Sequence, residues 1–218
     1  LSLLYAGTGT AFFAEGVSIY TPFRHIYRHV LPTGCPTSCS LGTGTLYYQG
    51  DEEWPGSDLG DSDGTRLYFV SVQYGNYPIN DIKRGKSRIL SAPLGGGEAT
   101  LVREFYDKEG PQALTVVSGG LYYLLDGTIA RIDLATGVEQ RLYQAPGYTV
   151  PYRFVTDGRD LFWVDSASQL VRLRQGASAP EVLARNVDIG LPYNLALTDE
   201  AVYVTGEGRR TLLRWMRP

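Results

Sequence analysis

No run of apolar residues approaches the ~18 that a membrane-crossing helix needs, so the chain is expected to be soluble, with no membrane span. Basic charge is not in excess either. Lys and Arg number 20 against 23 Asp and Glu, for a formal charge of −3 and a pI near 5.4. That balance argues against nucleic acid as a partner. No segment carries a capped apolar pattern of period 3.6, so no helix is expected. Local catalytic motifs are missing too. There is no Gly-x-Ser-x-Gly elbow, no phosphate-binding glycine loop and no His-Glu-x-x-His, patterns that would place a nucleophile, a nucleotide or a zinc. Carboxylate pairs of the glycosidase kind would leave no such local trace, because they meet only in the fold.

Thiols and imidazoles are scarce. The only cysteines are Cys35 and Cys39, held in Cys35-Pro36-Thr37-Ser38-Cys39. An even, clustered count leans towards an oxidising compartment, hence an extracellular, periplasmic or cell-surface location. The two are expected to form a local disulfide, whose short loop stabilises only modestly. His25 and His29 are the only histidines. On a helix that spacing could share a zinc. On a strand the two imidazoles share a face about 13 Å apart at ~3.3 Å per residue, and the flanking Pro22 and Pro32 favour the strand. The sequence opens at Leu1 with no initiator Met, basic segment or cleavage pattern, and so reads as a processed chain, a trimmed one or a fragment.

Turn formers and tyrosine are abundant. There are 26 Gly, 12 Pro and 16 Tyr, with 43% apolar residues and a single Met, a composition of many short strands joined by turns. The runs Leu121-Tyr122-Tyr123-Leu124, Leu161-Phe162-Trp163-Val164 and Val202-Tyr203-Val204-Thr205 recur at intervals of 40 and 41 residues. Each follows a turn signal: Ser118-Gly119-Gly120, Asp157-Gly158-Arg159-Asp160 and Asp199-Glu200. Upstream copies are Leu67-Tyr68-Phe69-Val70 after Asp63-Gly64, and Ala11-Phe12-Phe13-Ala14 after Gly7–Thr10. A strand precedes each run and two follow it. Aligning the strand after the run brings Arg28, Ser91, Arg131, Arg172 and Arg214 to one position. Four short strands every ~40–45 residues indicate an all-β fold, a β-propeller of four-stranded antiparallel blades. Blades stacked on one another bury faces that no single blade can cover. A β-sandwich also has regularly spaced strands, but it does not require the same residues to recur every 40.

About five blades are visible, at 1–42, 43–108, 109–147, 148–189 and 190–218, in one propeller domain. Leu161-Phe162-Trp163-Val164-Asp165 and Ile129-Ala130-Arg131-Ile132-Asp133-Leu134 resemble two propeller groups, the YWTD propellers of the low-density-lipoprotein-receptor type and the TolB-like propellers. Ile89-Leu90-Ser91-Ala92-Pro93-Leu94-Gly95-Gly96-Gly97-Glu98 resembles a strand-turn-strand unit of the latter. Those groups commonly have six blades, so the resemblance implies a ring of six or more. The last blade lacks a fourth strand, which leaves Leu212–Met216 as an open apolar edge. Residues before Leu1 or another subunit would supply the missing strand.

Two inserts mark the second copy. Residues 50–64 hold Asp51, Glu52, Glu53, Asp58, Asp61 and Asp63 without a basic residue, and are expected to form an exposed, mobile loop. Asp58, Asp61 and Asp63 alternate as oxygen donors ahead of Gly64, loosely like a calcium loop. The same residues favour a solvated turn, and no distal Glu stands at EF-hand spacing, so no cofactor is expected, with calcium at Asp58, Asp61 and Asp63 as the weaker alternative. The second insert, 73–86 with its flank, is basic, with Lys83 and Arg84. Trp54, Tyr74 and Tyr77 lie in these inserts and are the better aromatic candidates for ligand contact. The recurrent arginine reads as structural, its stem packed and its head bonding carbonyls between blades.

Three functions follow as expectations. The first is a non-catalytic binding propeller that takes a protein or carbohydrate ligand through Trp54, Tyr74, Tyr77, Lys83 and Arg84. The second is a propeller hydrolase or lactonase with a metal or carboxylate site at the central channel. The third is a structural or assembly module. Fold alone does not choose among them.

Overall fold

A computed structural model describes residues 2–7, 10–15, 25–30, 44–49, 56–73, 86–106, 110–147, 149–187, 193–206 and 212–217. Among these residues every regular element is a strand, and no helix is long and apolar enough to cross a membrane. The strands form sequential antiparallel meanders. The first sheet holds β1 (Ser2–Gly7), β2 (Thr10–Glu15), β3 (His25–Val30) and β4 (Thr45–Gln49); the second holds β5 (Gly56–Ser62), β6 (Arg66–Gln73), β7 (Lys86–Pro93) and β8 (Thr100–Tyr106). The third holds β9 (Ala113–Val117), β10 (Gly120–Leu125), β11 (Thr128–Asp133) and β12 (Glu139–Gln144). In the fourth are β13 (Pro151–Thr156), β14 (Asp160–Asp165), β15 (Leu170–Arg174) and β16 (Glu181–Ala184). The fifth has three described strands, β17 (Tyr193–Leu197), β18 (Ala201–Gly206) and β19 (Leu212–Met216). These are the blades of a β-propeller. The chain divides into two compact units, Leu1–Leu114 and Thr115–Pro218.

The repeating aromatic runs are the second strand of each sheet. β10 and β14 are buried at every residue, as strands covered on both faces must be. Core clusters form where sheets meet. In the first unit Phe12 and Ile26 pack with Leu67, Phe69 and Ala92. In the second, Phe162, Val164 and Leu170 pack with Val202 and Val204. Ring contacts join sheets as well: Tyr48 on Phe69 crosses the first of these seams and Tyr143 on Trp163 joins the third sheet to the fourth, each at 4.7 Å between centroids.

The turn signals act through identifiable bonds. Asp63 Oδ1 accepts from the Thr65 and Arg66 amides, each at 2.8 Å, and Asp157 Oδ1 accepts from the Arg159 and Asp160 amides, again at 2.8 Å. Each Asp is followed by a glycine at φ +89°, Gly64 and Gly158, a conformation open to glycine at little cost. Ser118-Gly119 and Asp126-Gly127 have positive φ at both residues, as two-residue hairpin turns of the I′ type require. Asp133 and Asp165, at the ends of the runs that carry the family resemblance, cap the following turns through the amides of Thr136 and of Ala167 and Gln169.

Two expectations change. Thr45–Gln49 pairs with β3, so the first sheet runs past residue 42 to Gln49. The acidic stretch read as a mobile loop holds β5, the first strand of the second sheet, paired to β6 through Gly60↔Phe69, Asp61↔Tyr68 and Ser62↔Leu67. Cross-strand contact with the apolar β6 overrides the low strand propensity of Gly and Asp. His25 and His29 lie on β3, as strand residues.

Candidate binding site

The aligned arginine column meets an aromatic column. Arg28 stands opposite Phe12, Ser91 opposite Tyr68, Arg131 opposite Tyr122, Arg172 opposite Phe162 and Arg214 opposite Tyr203. Arg131, Arg172 and Arg214 lie 6.0, 5.7 and 5.8 Å from the centroids of those rings, within cation–π range. Arg172 also forms a buried ion pair with Asp160. In the second sheet the column residue is Ser91, and Arg66 fills the gap. Its Nε donates to Ser91 Oγ at 3.0 Å, and its Nη2 to Ser91 O at 2.9 Å and to Thr100 Oγ1 at 3.0 Å. The column is therefore mainly structural.

One member of it opens onto a cleft. Within the second unit a cavity of about 500 Å³ lies between the third and fourth sheets, lined by Arg131, Arg141, Arg159 and Arg174 among other residues, with no Asp or Glu among the described residues of its lining. Chain geometry sets each arginine. Arg131 runs beside Gly120, where an added Cβ would sit 2.5 Å from its Nε. Arg141 is on β12. Arg159 is in the Asp157-capped turn, and its carbonyl accepts from the Gln175 amide at 2.8 Å, which ties that turn to the end of β15 and so to Arg174. Tyr122 reaches across the same seam, its hydroxyl 3.4 Å from Gly158 O.

The four guanidinium groups differ in how far they are neutralised. Arg131 donates to Asp133 at 3.1 Å, and Arg174 to Glu181 at 3.4 Å between exposed side chains. Arg141 and Arg159 have no ion-pair partner among the described residues. A second cavity of about 400 Å³ adjoins through Arg159 and is lined also by Asp157, Asp199 and Arg217. Here acid and base balance: Arg217 pairs with Asp157 and donates to Thr198 O at 3.1 Å. Partial burial works against the charged form of Asp157. The Asp160 and Arg159 amides and the Arg217 guanidinium outweigh it and hold the carboxyl below the usual range.

Of the residues expected to form a site, Trp54, Tyr74, Tyr77, Lys83 and Arg84 lie outside the described residues, as do Cys35 and Cys39. Asp58 and Asp61 are on β5, and Asp63 is in the β5–β6 turn. Both Asp63 oxygens are engaged: Oδ1 by the Thr65 hydroxyl at 2.7 Å besides two amides, Oδ2 by the Tyr68 hydroxyl at 2.9 Å. Burial opposes its ionised form, but those four donors prevail and lower its pKa. Among the described residues no three His, Cys, Asp or Glu side chains gather closely enough to hold a metal. Sequence reasoning singled out Arg131 for its repeat position and passed over Arg141, Arg159 and Arg174. The visible signal was Arg159, inside the turn Asp157-Gly158-Arg159-Asp160.

No protein-family model and no curated protein matches the chain. Solved structures do match it in fold. An oligogalacturonate lyase in complex with manganese superposes with a TM-score of 0.59 at 16% identity, over 96% of this chain and 62% of that one. TolB from Acinetobacter baumannii gives 0.58 at 13% identity, over 94% and 50%. A chain of the mitotic checkpoint complex gives 0.61 at 12%, over 94% and 57%. The chain thus spans between half and two thirds of the length of these structures. The likeness supports the TolB-like propeller resemblance and establishes the fold.

Proposed function

We propose that this chain is a non-catalytic binding propeller whose cleft between the third and fourth sheets receives a negatively charged ligand. The observation that carries this reading is the lining itself: among the described residues it holds four arginines, two of them without an ion-pair partner, and no Asp or Glu. An anion entering there replaces water around guanidinium groups that are less strongly hydrated than ammonium and gains charge-assisted hydrogen bonds. The protein assembly among the matched structures supports a protein partner for this fold. The lyase is named for an anionic sugar, and its likeness to this chain extends to the fold alone. The clustered Cys35 and Cys39 support an extracellular, periplasmic or cell-surface setting.

Isothermal titration with sodium polyglutamate and with neutral dextran of matched size tests the reading. Polyglutamate is expected to bind at 50 mM salt and to weaken at 300 mM, by screening, while dextran gives no heat. Arg141→Glu with Arg159→Glu is expected to abolish the polyglutamate signal. Equal binding of the two polymers, or a double variant that binds like the parent, overturns it.

A further inference from the structure

One place in the repeat differs in every sheet: the residue two before the aromatic of the column. Thr10, Arg66, Gly120, Asp160 and Ala201 hold it, ahead of Phe12, Tyr68, Tyr122, Phe162 and Tyr203. Residues two apart on a strand share a face, and so do residues directly opposite on the paired strand. Gly120 and Tyr122 therefore share a face with Arg131 and, through β12, with Gln140. Tyr122, Arg131 and Gln140 line the cleft. In the fourth sheet Asp160, Phe162 and Arg172 share a face in the same way.

The two sheets use this place in opposite ways. Asp160 accepts from Arg172 Nε at 3.0 Å and also from its Nη2, and both side chains are largely buried. At Gly120 there is no side chain, and Arg131 occupies the room. A Cβ there would lie 2.5 Å from Arg131 Nε, 3.3 Å from its Cδ and 3.0 Å from Tyr122 Cε2. Backbone conformation does not require this glycine, because Gly120 is a buried, paired residue of β10 and is not among the glycines of positive φ. A strand glycine of this kind marks a close approach, and the approaching group is the guanidinium. Arg131 stands 6.0 Å from the Tyr122 ring as Arg172 stands 5.7 Å from Phe162, so the two differ in neutralisation more than in placement. Arg131 meets Asp133 through Nη2 at 3.1 Å between partly exposed side chains. The other Asp133 oxygen is taken by Thr136 and Ala135. A solvated pair of that kind holds an arginine weakly, whereas a buried pair is costly to break.

We propose that Gly120 is the positioning residue of the cleft: it keeps its place free of side chain and of charge, and so seats the Arg131 guanidinium where an entering anion meets it. This rests on the anionic-ligand reading above and names the residue that sets Arg131 for that ligand. The same place closes the arginine of the fourth sheet with Asp160 and leaves that of the third sheet open.

Isothermal titration of the whole chain with sodium polyglutamate at low salt tests it, on Gly120→Ala, Gly120→Asp, Arg131→Gln and the two double variants. Gly120→Ala is expected to weaken binding at least ~3-fold by displacing Arg131 Nε, since charge-assisted bonds depend on placement. Gly120→Asp is expected to weaken it at least ~10-fold, by holding Arg131 as Asp160 holds Arg172. In the Arg131→Gln background both effects are expected to shrink to within ~2-fold, because residues that act through one another are not additive. A general loss of structure would persist there. A second readout needs no ligand: phenylglyoxal labels accessible arginines, and mass spectrometry gives the rate at each. Arg131 is expected to react at least ~5-fold faster than Arg172 in the parent, and Gly120→Asp to slow Arg131 at least ~5-fold with Arg172 unchanged, as a buried pair withholds its guanidinium. If Gly120→Asp binds polyglutamate like the parent, or its loss persists undiminished with Arg131→Gln, the positioning role is overturned and the anionic-ligand reading stands. Should a variant fail to fold, the parent's labelling decides, and equal rates at Arg131 and Arg172 overturn the role. If polyglutamate does not bind the parent while the labelling pattern holds, the anionic-ligand reading is overturned and the seating of Arg131 by Gly120 stands.

Discussion

The Arg172–Asp160 pair offers a direct measure of what the arginine column contributes to the fold. Both side chains are about 11% exposed, and Arg172 Nε donates to Asp160 Oδ2 at 3.0 Å while its Nη2 bonds the same oxygen. Arg172→Met keeps an apolar stem against Phe162 and removes the charge. It leaves a carboxylate within the fourth sheet, and breaking a buried pair from one side costs about 3–5 kcal/mol. Asp160 lies at the start of β14, where water can reach it after relaxation, so the low end, about 3 kcal/mol, is expected. With a urea m-value of about 2 kcal/mol/M, the midpoint should fall by about 1.5 M. The double variant Asp160→Asn, Arg172→Met removes both charges and should recover at least half of that loss. Urea titrations followed by tryptophan fluorescence would read this through Trp163, which is fully buried on β14, the strand that carries Asp160. A loss below about 1 kcal/mol for Arg172→Met, the range of an exposed pair, refutes the reasoning. So does a double variant as unstable as the sum of the singles.

Arg66→Ala should destabilise the second sheet by about 1–3 kcal/mol, since it strips bonds from Ser91 and Thr100, and adding Ser91→Arg should restore part of that; thermal melts check both, and no recovery would contradict substitution for the missing column residue. Asp63 and Asp157 have pKa values lowered in the folded chain, so their contribution is present above the unfolded Asp value of about 3.9 and is lost as pH falls through the lower folded values. Denaturation midpoints should therefore drop between pH 5 and pH 2, and the drop should be shallower in Asp63→Asn; an identical slope in that variant would be wrong for this account. Leu212 and Met216 on β19 are 59% and 54% exposed, on an edge strand of the fifth sheet among the described residues. Leu213→Lys should suppress concentration-dependent association by charging that edge, and sedimentation velocity that shows no change would argue against edge pairing.

The repeat was legible because propeller blades demand it: the second strand is covered on both faces, as β10 and β14 are, so Tyr122, Phe162 and Tyr203 recur in register with Arg131, Arg172 and Arg214. The turns were legible for a related reason, because Asp157-Gly158 and Asp63-Gly64 meet a fixed backbone need with the residues that satisfy it. The edge between the first two sheets was not. β5 is rich in Gly and Asp and reads as a loop in isolation, and only its pairing with Tyr68 and Phe69 makes it a strand. The cleft was the least legible part. Arg131, Arg141, Arg159 and Arg174 are scattered over 44 residues and share a cavity because two sheets pack together and one amide, that of Gln175, ties the Arg159 turn to the end of β15. No local pattern encodes that meeting.

Amide hydrogen exchange on the whole chain, with and without sodium polyglutamate, is the most direct test of where the ligand sits. Protection is expected at residues 139–142, 156–161 and 173–177, diminished at high salt and lost on Arg141→Glu with Arg159→Glu. Protection confined to other sheets, or none in the presence of saturating polyglutamate, would contradict it.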